Sequence, residues 1–152
     1  MSPRMERLLS GDLALEPGEP RIPLKGGFPR RDTRATGSVV AGEKVGSLRA
    51  VASPGHSPDH IAFLDERDST LICGDAFQTK GGIAVAGVIR WRFPLPAFGT
   101  WNLELATQSA AALLDLAPAR LAPGHGTVLE QPVGAMERAV AEAQEKLRRG
   151  NH

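Results

Sequence analysis

Three residues of this chain combine metal-ligand chemistry with a suitable placement: His56, Asp75 and His125. Each lies in a tight glycine-containing turn directly after or beside a short apolar run: Pro54-Gly55-His56, Gly74-Asp75 and Pro123-Gly124-His125-Gly126. Imidazole and carboxylate are the ligand types that zinc, iron and manganese accept, and turns at strand ends are where a sheet can gather ligands distant in sequence. Each site taken alone also has a plainer reading. His56 can be an ordinary turn residue, Asp75 a turn or helix cap, and Gly124-His125-Gly126 a flexible loop. Three repeats of one design favour reading them together.

The elements that must position these residues are legible around them. Leu48-Arg49-Ala50-Val51-Ala52 reads as a strand, and Ser53-Pro54-Gly55 turns the chain so that His56 projects from its end. Thr70-Leu71-Ile72-Cys73 is a second apolar run of strand length, and Asp65-Glu66-Arg67-Asp68-Ser69 before it reads as the turn of a hairpin. Arg120-Leu121-Ala122 leads into the third turn. Thr100 is placed to cap a helix whose stripe is Leu103, Ala106, Ala110, Leu113 and Leu114. Pro132 opens a final helix with Val133, Met136, Val140, Ala143 and Leu147 on one face, and with Glu142-Lys146 and Glu145-Arg149 pairs at i,i+4. At the start, Ser2 and Pro3 read as the cap and first turn of a short helix through Leu9, stopped by Gly11. Residues 16 to 37, with Pro17, Pro20, Pro23 and Pro29 among glycines and charges, read as a connector. The expected division is residues 1–37 as N-terminal helix and connector and residues 38–152 as the folded body, with strands first and helices packing on one side.

Taken in order, the motifs resemble the C-terminal half of the metallo-β-lactamase superfamily. The matching strings are Pro54-Gly55-His56-Ser57-Pro58-Asp59-His60 with an apolar strand after it, Leu71-Ile72-Cys73-Gly74-Asp75-Ala76-Phe77, and Pro123-Gly124-His125-Gly126. The resemblance implies an α+β fold, part of an αββα sandwich of mostly antiparallel strands with helices on one face. It further implies that His56 ligates a first metal, that Asp75 bridges two, and that His125 ligates the second, with zinc or else iron or manganese as the ion. His60 then has a structural hydrogen-bonding role, and Asp59 departs from the glycine that many relatives carry there. A larger departure is that no His-x-His-x-Asp-His string occurs among the 152 residues. His56, Asp75 and His125 would leave each of two metals about two protein ligands, where a catalytic zinc takes three. The expectation is therefore a truncated metallohydrolase, inactive or weakly active as a single chain, with an uncovered sheet face that pairs with another copy or a separate polypeptide.

In complete relatives of this resemblance, metal-activated water attacks an ester, thioester or amide centre, and the Gly-Asp-Ala-Phe stretch is nearer to the glyoxalase II-like and general hydrolase members. Candidate substrate contacts are Trp91, Phe93 and Phe98 in the Pro- and Gly-rich segment from Lys80 to Phe98; a core-covering role for the same aromatics is an equal reading. A serine hydrolase fails on one atom: after Ser57 comes Pro58, which has no N–H for an oxyanion. The alternative from another class is a noncatalytic, metal-free interaction module that uses the exposed half-sandwich. A net charge of +1 provides no field for nucleic acid or anionic membrane, and the one basic cluster, Arg30-Arg31-Asp32-Thr33-Arg34, is broken by acid and lacks aromatics. No apolar run approaches the roughly 20 residues of a membrane span. The single Cys73 sits in an apolar strand as a buried thiol, nothing argues for secretion, and cytoplasm is the expected location.

Overall fold

The computed structural model describes residues 2–25, 27–28 and 35–150, so the basic cluster at 30–34 lies outside the described residues. The elements in chain order are α1 (Pro3–Ser10), β1 (Lys44–Val45), β2 (Leu48–Ala52), β3 (Ile61–Asp65), β4 (Thr70–Gly74), β5 (Phe77–Gln78), β6 (Ala84–Val85), α2 (Leu95–Gly99), α3 (Leu103–Leu114), β7 (Arg120–Pro123), β8 (Leu129–Glu130) and α4 (Val133–Gly150). Six strands form one sheet in the order β1-β2-β3-β4-β7-β8, and β5 pairs with β6 in a small second sheet. All pairings are antiparallel except β4 with β7, whose parallel alignment requires the long crossover through α2 and α3. That single parallel pairing sets two strand ends side by side and decides where the site lies.

The hairpin between β3 and β4 forms where the turn residues predict it. The Asp65 carboxylate accepts from the Arg67 backbone N–H at 3.1 Å and from its guanidinium, and Ser69 takes a left-handed φ of 55°. Arg67 hydrogen bonding holds the Asp65 carboxyl well below the usual carboxylate range. In register, Leu64 faces Leu71 and Leu71 faces Leu121, so these side chains share the face that α3 and α4 cover. Leu71, Cys73, Leu113, Leu121 and Met136 are fully buried there. The alternate residues point the other way: Phe63 and Ala122 are half-buried and Ile72 is 40% exposed. One face of the sheet is thus packed, and the other shows apolar side chains with partial cover.

Helix boundaries follow their caps. The Ser2 hydroxyl accepts from Met5 N, Pro3 occupies the first turn, and Gly11 closes α1 at φ 96°. Thr100, expected as the cap of α3, is not: Asn102 at φ −139° takes the N–H of Leu105 at 3.0 Å. Thr100 stands three residues before the first helical residue, too early to cap, and its hydroxyl turns to the Pro96 carbonyl at 2.7 Å. In α4, Glu145 pairs with Arg149 as its spacing predicts. Glu142 does not pair with Lys146; it takes Arg90 of the crossover at 2.6 Å, and Lys146 donates to Gly87 O. No helix among the described residues is long and apolar enough to cross a membrane.

Candidate metal centre

The turn after β2 is pinned to the start of α3. Gly55 O accepts from Asn102 N at 2.9 Å, His56 O from Trp101 N at 3.1 Å, and Pro54 O from the Ser109 hydroxyl at 2.7 Å. Gly55 sits at φ 137° with Ala106 N only 2.2 Å from where a Cβ would lie, so only glycine fits between turn and helix. The His56 ring is therefore delivered by a rigid backbone. Its Nδ1 lies 3.2 Å from Thr100 Oγ1, whose proton is already given to Pro96 O. The network thus assigns Nδ1–H of His56 as donor to Thr100 and leaves Nε2 as a bare lone pair.

That lone pair faces Asp75 Oδ2 at 3.5 Å, beyond hydrogen-bond length. Burial lowers the His56 pKa from its ordinary value and so favours the neutral ring, against the pull of Asp75, which favours the charged one. His60 behaves differently. Its Nε2 accepts the Asp75 backbone N–H at 3.2 Å, so its Nδ1–H donates to Ser53 Oγ at 2.7 Å. Burial, then the neighbouring His56, lowers its pKa too. With both nitrogens engaged, His60 has no lone pair to offer and acts by holding the Gly74-Asp75 turn.

Asp75 and His125 meet because β4 and β7 run parallel and Gly124 N bonds Gly74 O at 2.8 Å. A Cβ on Gly124 would come within 2.6 Å of Asp75 Oδ1, so glycine makes room for the carboxylate. His125 Nε2 lies 3.5 Å from Asp75 Oδ1, the opposite oxygen from the one His56 faces. The His125 ring is 45% exposed and leans on Phe93 with ring centroids 5.1 Å apart.

The structure therefore brings together His56, Asp75 and His125, with His60 behind them, at the floor of a cleft of about 470 Å³. Of the three aromatic contact candidates, Phe93 lines this cleft; Trp91 is 91% exposed and Phe98 65% exposed, and neither lines it. The sequence reading missed Thr100 as the orienting partner of His56, which the residue pattern did not signal, and Ser53, whose place just before Pro54-Gly55 was a usable cue.

The donor types fit a divalent metal: two imidazoles, one neutral by burial, each set against one oxygen of a carboxylate. The count is short. Among the described residues no group of three or more His, Cys, Asp or Glu is arranged to hold a metal ion, in keeping with two donors on each side of Asp75.

A strand-end His, Asp and His around one cleft on this sheet mark a class, and the family model described as the metallo-beta-lactamase superfamily matches residues 29–125. The chain belongs to that superfamily. YobT, an uncharacterized protein of Bacillus subtilis strain 168, is 49% identical over 145 residues, covering 95% of this chain and 62% of YobT. The probable metallo-hydrolase YflN of the same organism is 32% identical over 108 residues, covering 65% of this chain and 41% of YflN. The crystal structure of TTHA1623 in a di-iron-bound form aligns with a TM-score of 0.50 at 26% identity, covering 72% of this chain and 48% of that one. The chain thus spans about three fifths of YobT and less than half of the other two.

Proposed function

We propose that this chain supplies the Asp75-centred part of a dinuclear metal-dependent hydrolase site acting on a small ester, thioester or amide. The observation that carries the reading is the arrangement around Asp75, with His56 Nε2 facing one carboxylate oxygen and His125 Nε2 the other, each at 3.5 Å. A neutral imidazole lone pair on Nε2 of His56 and a carboxylate oxygen 3.5 Å away repel unless a cation stands between them. His56 Nε2 with Asp75 Oδ2 would hold one ion, and His125 Nε2 with Asp75 Oδ1 a second, zinc or else iron or manganese. When bound, such an ion lowers the pKa of water towards neutrality and stabilises a developing oxyanion. The protein's own residues do the rest: Thr100 fixes the His56 tautomer, His60 holds the Asp75 backbone, and Phe93 and Leu95 border the cleft above the site. Similarity to YflN, a probable metallo-hydrolase, and to TTHA1623, which takes a di-iron-bound form, supports this reading.

With two donors on each side, the remaining coordination positions fall to groups outside these residues. A second copy, or a polypeptide that carries the His-x-His-x-Asp-His string, is the proposed source, and activity of this chain by itself is expected to be weak or nil. Residues 1–37 serve in this reading as an arm on the body formed by residues 38–152. Native mass spectrometry with and without added zinc tests the reading. Zinc should bind, and less of it should bind in His56→Ala and in His125→Ala; a chain that takes up no zinc contradicts it.

A second reading is favoured by the apolar sheet face that carries Phe63 and Ile72. It is a noncatalytic module whose exposed face meets a partner. In that case the purified chain self-associates in sedimentation, and His125→Ala alters neither its association nor its thermal midpoint.

A further inference from the structure

The wall of the cleft opposite the histidines is built by α1. Met5 and Leu9 are one helical turn apart, share a face, and both line the cleft. They are only half-buried, whereas Leu8 next to them is fully buried. Two polar ties fix the helix in this pose. Arg4 forms a two-point ion pair with Glu19 at 2.9 and 3.0 Å, and the Ser2 hydroxyl, the N-cap, hydrogen-bonds the Asp59 carboxylate. Asp59 is the residue that stands where many members of the superfamily carry glycine, so this chain has a side chain at the site loop that clasps α1.

A helix tied at its N-terminal end by polar contacts, with two large apolar side chains left half-open in a cleft that also holds His56, Asp75 and His125, suits a ligand with an apolar part. Phe93 and Leu95, the latter 67% exposed, line the same cleft. Among the described lining residues Asp75 is the one acid, and Lys25 also lines the cleft, so a carboxylate product shares the cleft with one like charge and one cation.

We infer that the cleft takes substrates with an apolar acyl chain of medium length, which lies along Met5 and Leu9 with its carbonyl at His56, Asp75 and His125. Water adds to the carbonyl carbon, the C–O or C–S bond breaks, one water proton goes to the leaving alcohol or thiol and the other to solvent, and the products are the acyl carboxylate and the alcohol or thiol. The inference rests on the hydrolase reading for the chemistry, but its binding part stands on the cleft alone.

The test is calorimetric binding of octanoate and acetate to the full chain, with and without zinc, in wild type, Met5→Gln, Leu9→Gln and Asp59→Gly. Each methylene fully withdrawn from water favours binding about fourfold, so octanoate should bind at least about tenfold more tightly than acetate. Met5→Gln and Leu9→Gln, which keep good helix formers on half-buried positions, should each reduce that preference to about threefold or less. Asp59→Gly, which frees the helix cap without touching the core, should reduce it in part. A preference below about threefold in wild type, no measurable octanoate binding, or a preference that survives both glutamine variants overturns the inference. Failure of the hydrolase reading looks different: zinc is not bound, yet octanoate still prefers the α1 wall.

Discussion

The two sides of Asp75 are built to different standards. On the His56 side the ring is 22% exposed, its turn is bonded to the start of α3 through three backbone groups, and His60 behind it ties the Asp75 N–H to Ser53. On the His125 side the turn is also bonded, through Gly124 N to Gly74 O at 2.8 Å, Thr79 N to His125 O at 2.9 Å and Thr79 Oγ1 to Thr127 O at 2.7 Å, but the ring is 45% exposed and leans on Phe93. The difference teaches that both turns are anchored, and that the His56 ring is preorganised by burial and a hydrogen bond to Thr100 while the more exposed His125 ring keeps freedom to adjust. A metal held on the His56 side would meet a fixed ligand, and one held on the His125 side a ring that can move to it.

Substitutions can break or sharpen this contrast, and the largest effect belongs to the rigid side. Gly55→Ala forces a Cβ to within 2.2 Å of the Ala106 backbone at a φ that other residues avoid, and should cost about 3 kcal/mol in urea unfolding. Gly124→Ala should cost roughly 1 kcal/mol, because the atom it meets at 2.6 Å is a side-chain oxygen that can rotate away. If both cost the same, the two turns are not differently constrained. Next, His60→Ala leaves the Asp75 N–H without its acceptor and should weaken zinc binding about tenfold or more, as removal of an orienting partner does. Phe93→Ala on the open side should change zinc affinity less than about threefold; calorimetry that found the reverse order would invert the comparison.

Cys73 reports on the packed face beneath both sides. Burial pushes its thiol up to about 12, so the folded chain resists forming thiolate. The unfolded chain releases that proton nearer pH 9 and holds fewer protons from there to about pH 12, so stability should fall as pH rises through that window. At pH 8.5, alkylation of the folded chain by iodoacetamide should be at least about a hundredfold slower than in urea. The smallest expected effect is Trp91→Ala, which at 91% exposure should shift stability by no more than about 0.5 kcal/mol.

Much of this was legible in local signals. The hairpin at 65–69, the strand ending at Ala52 and the amphipathic α3 and α4 follow from turn residues and periodicity, and the three Gly-containing turns pointed to His56, Asp75 and His125 before any geometry. What stayed hidden depends on contacts between distant residues. The sequence does not reveal that β4 takes β7 as its parallel partner, that Thr100 orients a ring 44 residues away, or that α1 leans over the site through Asp59. Thr100 was misread as a cap because a threonine before an apolar stripe looks the same whether its hydroxyl meets the helix or, as here, a carbonyl and an imidazole.

Native mass spectrometry of zinc-supplemented wild type against Asp75→Ala tests the central claim most directly, because Asp75 alone touches both sides. The account predicts zinc on the wild-type chain and none on Asp75→Ala, with His56→Ala and His125→Ala binding less than wild type. A wild-type chain that binds no zinc, or an Asp75→Ala chain that keeps it, would contradict the claim that this carboxylate is the centre of a metal site.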